Sequence, residues 1–120
     1  MKNKVILLAL VALLIGGNSF ADNAQRKIST GILTTSQSIS TVPGTVYALE
    51  VFATAANGFA TVFDYAGSSI SDLPNEKSLV EDREATQYNS KHIDLGSEGI
   101  KAYKGIYIYL SNATAIVHYY

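Results

Sequence analysis

Tyr107, Tyr109, His118 and Tyr120 crowd the C-terminal end of this chain, and they are the residues best suited to contact another molecule. A tyrosine joins a large apolar ring to a polar tip, so it stacks on sugars and anchors interfaces. Other chemistries are poorly served. The two histidines, His92 and His118, stand far apart, with no His-x-His or His-Glu-x-x-His spacing and no cysteine to join them. No zinc or other metal site is expected from that set. Serine is abundant, yet none sits in Gly-x-Ser-x-Gly, the strained turn that exposes a nucleophile. Asp64, Asp72 and the run Glu81-Asp82-Arg83-Glu84 lack the spacing of a calcium-binding loop and read as solvated acidic surface. No glycine-rich phosphate loop follows a strand. The expectation is therefore no catalytic residue, no metal and no cofactor. Asn112-Ala113-Thr114 matches the N-glycosylation triplet and reads as a turn.

The tyrosines must be positioned by strands. Short runs of Val, Ile, Thr, Phe and Tyr recur between Gly, Pro, Asn and Ser, which is the pattern of a sandwich or barrel. The spacing predicts strands over 28–34, 38–42, 46–55, 59–66, 92–95, 100–103, 106–110 and 115–120, with 78–85 open between a helical turn or two and a solvated loop with a short strand. Pro43-Gly44 suits the centre of a type II turn. The fold expected is an all-β, small antiparallel β-sandwich, jelly-roll-like, with about seven or eight short strands.

Two hairpins are expected within it. A three-residue loop, Ala56-Asn57-Gly58, pairs Val51 with Phe63 and Leu49 with Tyr65, collecting Leu49, Val51, Ala53, Phe63 and Tyr65 on one apolar face. Gly58 then takes the left-handed conformation of a bulged loop, and Phe52 and Val62 face outward. The last hairpin, 106–110 with 115–120, divides likewise. Ile106, Ile108, Leu110, Ala115, Val117 and Tyr119 form a core face. Tyr107, Tyr109, Ile116, His118 and Tyr120 form the other, too apolar for plain solvent. With Phe52 and Val62, this second face is the expected contact surface.

Compartment follows from the first residues. Lys2 and Lys4 precede an uninterrupted apolar run of eleven residues, Val5 to Ile15, broken by Gly16-Gly17-Asn18 and closed by Ser19-Phe20-Ala21. That is the plan of a secretory signal over 1–21, cleaved between Ala21 and Asp22. The run is about half the roughly 20 apolar residues of a spanning helix, so no membrane insertion is expected after the signal is removed. The remainder, 22–120, has the length of one domain. It has no cysteine, so stability must come from packing and association. Without Lys2 and Lys4, seven basic residues face ten acidic ones, a net charge of −3 that offers nucleic acid no overall attraction.

The order Ile28-Ser29-Thr30-Gly31, Pro43-Gly44, Tyr47-Ala48-Leu49-Glu50-Val51, Phe63-Asp64-Tyr65, Gly105-Ile106-Tyr107 and Val117-His118-Tyr119-Tyr120 resembles small β-sandwich proteins encoded among phage and prophage structural genes. The resemblance spans roughly 26–120 and is one of hydrophobic pattern and turns. It implies a minor virion or decoration component, and no site residue carries over. The signal departs from it, because virion parts assemble in the cytoplasm. The resemblance therefore implies a domain reused outside the cytoplasm.

These readings converge on an exported, non-enzymatic structural sandwich, secreted, periplasmic or at the cell surface, that assembles as a homo-oligomer. The alternative is a small secreted binding module holding a glycan or another surface partner through its tyrosines. N-terminal sequencing of exported protein should begin at Asp22; an intact Met1 there contradicts the signal.

Overall fold

The structure, a computed structural model, describes residues 27–120; the expected signal over 1–21 and the expected cleavage site at Ala21 and Asp22 lie outside the described residues. Nine strands follow one another: β1 (Ile28–Ser29), β2 (Gln37–Ser40), β3 (Gly44–Ala53), β4 (Gly58–Asp64), β5 (Lys77–Glu84), β6 (Ser90–Asp94), β7 (Ile100–Ala102), β8 (Ile106–Ser111) and β9 (Ala113–Tyr119). A 3-10 turn, Ile70–Asn75, joins β4 to β5. The first sheet runs β1-β9-β3-β6, with β7 continuing beside β3 past the end of β6; the second runs β2-β8-β4-β5. Every pairing is antiparallel. Counting β7 as a continuation of the β6 edge, the chain changes sheet at every connection except β4 to β5. That interleaving is the strand order of a jelly roll.

Neither expected hairpin exists. β3 pairs with β9 and β6, so Val51 lies opposite Ala115 and Lys91, not Phe63. β4 pairs with β8 and β5 in the other sheet, where Phe63 lies opposite Tyr107 and Ser78. The left-handed residue between β3 and β4 is Asn57, with φ 60°, while Gly58 begins a strand. Glycine is still required there, because a Cβ at Gly58 would press on the Asn112 carbonyl oxygen and on Ala53. β8 and β9 are likewise divided between sheets, with Asn112 alone at the corner, φ 51°. Asparagine tolerates this conformation better than most side chains. Pro43-Gly44 is no type II turn either: Gly44 has no positive φ and opens β3, where a Cβ would stand 2.5 Å from the Tyr120 carbonyl oxygen. Residues 78–85, left open between helix and strand, fall mostly in β5.

Val46, Leu49 and Val51 of β3, Ala60 and Val62 of β4, Ile106 and Ile108 of β8, and Ala113, Ala115 and Val117 of β9 fill the space between the sheets. Val62, expected outside, is fully buried. Inward positions of β4 are thus small and aliphatic, and its aromatics point out. The edge strands β5 and β6 each turn one charge inward: Asp82, 3% exposed, and Lys91, whose Nζ is 3.7 Å from Asp82 Oδ1. Inward charges on edge strands discourage pairing with another sheet.

Gly58→Val should lower stability by about 1–3 kcal/mol, as overpacking typically does, measured by urea denaturation. Asn57→Gly, which relieves a left-handed side chain, should not. Equal stability of the Gly58 variant and the parent would contradict the corner geometry.

Candidate functional site

Along β4 the outward residues are Phe59, Thr61 and Phe63, and along β8 they are Tyr107, Tyr109 and Ser111. The register sets Phe59 across from Ser111, Thr61 from Tyr109 and Phe63 from Tyr107. Diagonal neighbours on a pleated face lie within reach of aromatic side chains. The Phe59 and Tyr109 ring centroids are 5.9 Å apart, and those of Tyr65 and Tyr107 are 5.6 Å apart. On the β5 side the Arg83 guanidinium lies 4.4 Å from the Phe59 ring centre and is bonded to Glu81 at 3.2 Å. The outer face of the second sheet is thus an aromatic row, bounded by charge at its Phe59 end.

The 3-10 turn folds over the other end of the row. Its buried Leu73 packs with Tyr65 and Tyr107, and Phe63 and Tyr109 flank this cluster half-buried. Tyr65 pins the turn: its hydroxyl donates to Asp72 Oδ2 at 3.0 Å and accepts from the Ser69 N–H at 3.2 Å. Burial pushes the Tyr65 phenol up, the Ser69 donor works the other way, and the Asp72 carboxylate adds to the rise. Between turn and sheet a groove of about 370 Å³ stays open, lined by Phe63, Ile70, Leu73, Pro74, Glu76 and Tyr109. Its one charged group, Glu76, accepts from Lys104 Nζ at 2.7 Å, which raises the Lys104 ammonium's pKa.

The expected contact residues do not form one surface. Tyr109 walls the groove, while Tyr107 beside it is 2% exposed beneath the turn. Val62 is core. Phe52 and His118 lie on the opposite side of the sandwich: Phe52 sits between Thr114 and Ser90, and His118 between Ser29 and Ala48. Tyr120 is half-exposed just beyond β9, its backbone paired with Thr45. The alternation within β8 and within β9 is as expected, but the chain changes sheet at Asn112, so the two aromatic sets face opposite ways. Phe59, Phe63, Tyr65 and Leu73 were missed as members. The signal available for the first three is the spacing of aromatic residues at alternate positions from Phe59 through Tyr65, interrupted by Thr61.

The chain matches no family model, no curated protein and no solved structure. Its chemistry therefore rests on its own geometry. On the outer face of the first sheet, His92 Nδ1 and Glu50 Oε1 are 3.2 Å apart, an isolated cross-strand pair. Among the described residues no three His, Cys, Asp or Glu side chains converge as a metal site would require.

One buried carboxylate organises the end of the sandwich near the groove. Asp64 is buried at the end of β4, where Oδ2 accepts from the Tyr103 N–H at 3.0 Å and Oδ1 from the N–H groups of Lys104 at 2.7 Å and Gly105 at 3.4 Å. Burial acts to raise its pKa, but the three backbone donors and the nearby Lys104 outweigh it and hold the carboxyl below its ordinary 3.8. A depressed carboxyl stabilises the fold above its unfolded pKa and loses that contribution as pH falls through the folded value. Thermal unfolding should therefore show stability declining below about pH 4, with part of the decline absent in Asp64→Asn. That variant should also cost about 1–3 kcal/mol at neutral pH through its poorly satisfied donors. An unchanged acid profile in the variant would contradict this role.

Proposed function

We propose that this chain is an exported, non-enzymatic binding module that holds a glycan in the aromatic groove of its second sheet. The observation that carries the reading is the groove itself: Phe63 and Tyr109 form aromatic walls, Ile70 and Pro74 supply apolar surface, and one carboxylate, Glu76, stands at the lining. A sugar ring presents an apolar face of C–H groups and a rim of hydroxyls. Aromatic rings suit the first, and a fixed carboxylate accepts from the second. The walls are rigidly backed, since Tyr65 and Tyr107 are buried behind them and pack with Leu73 of the lining. A pre-formed site loses little freedom on binding. Export is supported by the N-terminal signal pattern.

Self-assembly, the leading expectation from the sequence, is the second reading here, on a different observation. Ile28, Val42, Tyr103 and Tyr120 are large, exposed and apolar, and the strand registers gather them toward the end of the sandwich where β3 begins. The resemblance to phage-type sandwiches favours it, whereas the inward charges on β5 and β6 disfavour association through those edges.

The readings separate by titration of isotope-labelled protein with neutral and acidic oligosaccharides, followed by NMR. Shifts should concentrate on Phe63, Ile70 and Tyr109. Tyr109→Ala should weaken binding about tenfold, or 1.4 kcal/mol, with an unchanged far-UV spectrum. Absence of any shift, joined to a multimer in light scattering that Val42→Ser with Tyr120→Ser reduces to monomer, would displace glycan binding in favour of assembly. Tyr107 is unsuited to such a test because its ring is core.

A further inference from the structure

Beside the groove lies a second cleft of about 420 Å³, lined by Lys77, Glu98, Gly99, Ile100, Lys101 and Tyr103. The two are neighbours on two counts: Glu76 of the groove precedes Lys77 of the cleft, and Glu76 is bonded at 2.7 Å to Lys104, the residue after Tyr103 of the cleft. Most basic side chains among the described residues are already engaged. Arg83 pairs with Glu81, Lys91 with Asp82 and Lys104 with Glu76, and Lys27 stands 4.6 Å from the Tyr47 ring centre. Lys77 and Lys101 are the exceptions: among the described residues neither has a carboxylate within 4.0 Å. Both line this one cleft.

Tyr103 stands with them, 71% exposed. An exposed ring on a loose loop would lose much freedom on binding, but this loop is clamped. The Tyr103, Lys104 and Gly105 N–H groups all donate to the buried Asp64 carboxylate. An exposed ring on a fixed backbone, sharing a cleft with two ammonium groups that no carboxylate approaches within 4.0 Å, suits a sugar bearing an acid group. Glu98 opposes it, yet leaves the cleft lining one positive charge in excess, on a chain whose mature part is net negative. Local fields of this kind steer ligands irrespective of net charge.

We propose, resting on the glycan reading above, that the ligand is an anionic sugar chain that crosses from the groove into this cleft. Its neutral ring stacks on Tyr109 and Phe63, and its acid group is taken by Lys77 and Lys101 beside Tyr103. Lysine ammonium groups donate to a carboxylate or a sulfate ester alike, so the shared chemistry is the anionic sugar.

The test is calorimetry of the mature chain with three probes: an oligogalacturonate, a sulfated oligosaccharide and a neutral cello-oligosaccharide of equal length. At least one acidic probe should bind about tenfold tighter than the neutral one, and the preferred probe identifies the acid group. Lys77→Ala with Lys101→Ala should erase that preference and leave the neutral affinity unchanged. A tenfold rise in ionic strength should do the same, because exposed charges are screened. Equal affinity for acidic and neutral probes, unaltered by the lysine variant, would overturn this inference while the glycan reading stands. No binding of any probe would overturn both. Binding to vesicles of anionic lipid without binding to sugars would also overturn both and point to a membrane surface.

Discussion

The carbonyl of Asn112 is the joint on which this sandwich turns. It accepts from the Thr54 N–H at 2.8 Å and the Ala55 N–H at 3.4 Å, and Gly58 packs against it without a side chain. Two connections that must each carry the chain from one sheet to the other therefore meet at one point. β3 reaches β4 through residues 54–57, and β8 reaches β9 through Asn112 alone. Both connections use a left-handed asparagine to turn. A third connection closes the same end, where Ala53 donates to the Asn89 carbonyl, Tyr88 to that of Ala53, and Asn57 to that of Ala85.

Because the chain crosses at these corners, sequential strands cannot pair there. β3 finds β9 and β4 finds β8, each across a long stretch of chain. The ladders are thus non-local, and folding of such a topology is slow relative to a meander. The crossing also decides what each face carries. Ala60 and Val62 fit the narrow space between sheets, and Phe59, Phe63 and Tyr65 are left on the outside. An exposed aromatic row is costly, and the 3-10 turn covers one end of it with Leu73, leaving the groove as the part not covered. The same end is tied to the 103–105 loop by Asp64, so the groove and the lysine cleft share one rigid frame.

Most strands were legible from alternation, and the two-sheet, all-β class with them. β5 was obscured because charges occupy both its faces: Glu81 and Arg83 outward, Asp82 inward beside Lys91. Pairing was not legible. Asn57-Gly58 and Asn112 mark turns, but a turn residue does not say whether the next strand returns beside the last or joins the facing sheet. Packing between sheets decides that. The faces of β4 were ambiguous for a related reason. Ala60 with Val62, and Phe63 with Tyr65, are both apolar, and the expected hairpin chose the aromatic pair for the core. Tyr109 was found because Ile and Tyr alternate through β8. Its neighbours Phe63 and Leu73 were not, since nothing local links them to it. The lysine cleft joins residues from β5, β7 and two loops, and no single segment shows it.

The central claim is that β3 and β4 lie in different sheets, which places the aromatic row outside. The chain contains no cysteine, so introduced pairs report distance without competition. Glu50→Cys with Ile116→Cys joins residues the register sets directly opposite on neighbouring strands. This pair should oxidise readily to an intramolecular disulfide, since facing strand residues fall within the required Cα separation. Val51→Cys with Phe63→Cys, the pair a β3–β4 hairpin would bring together, should remain reduced under the same conditions. A disulfide in the second variant and none in the first would contradict the account.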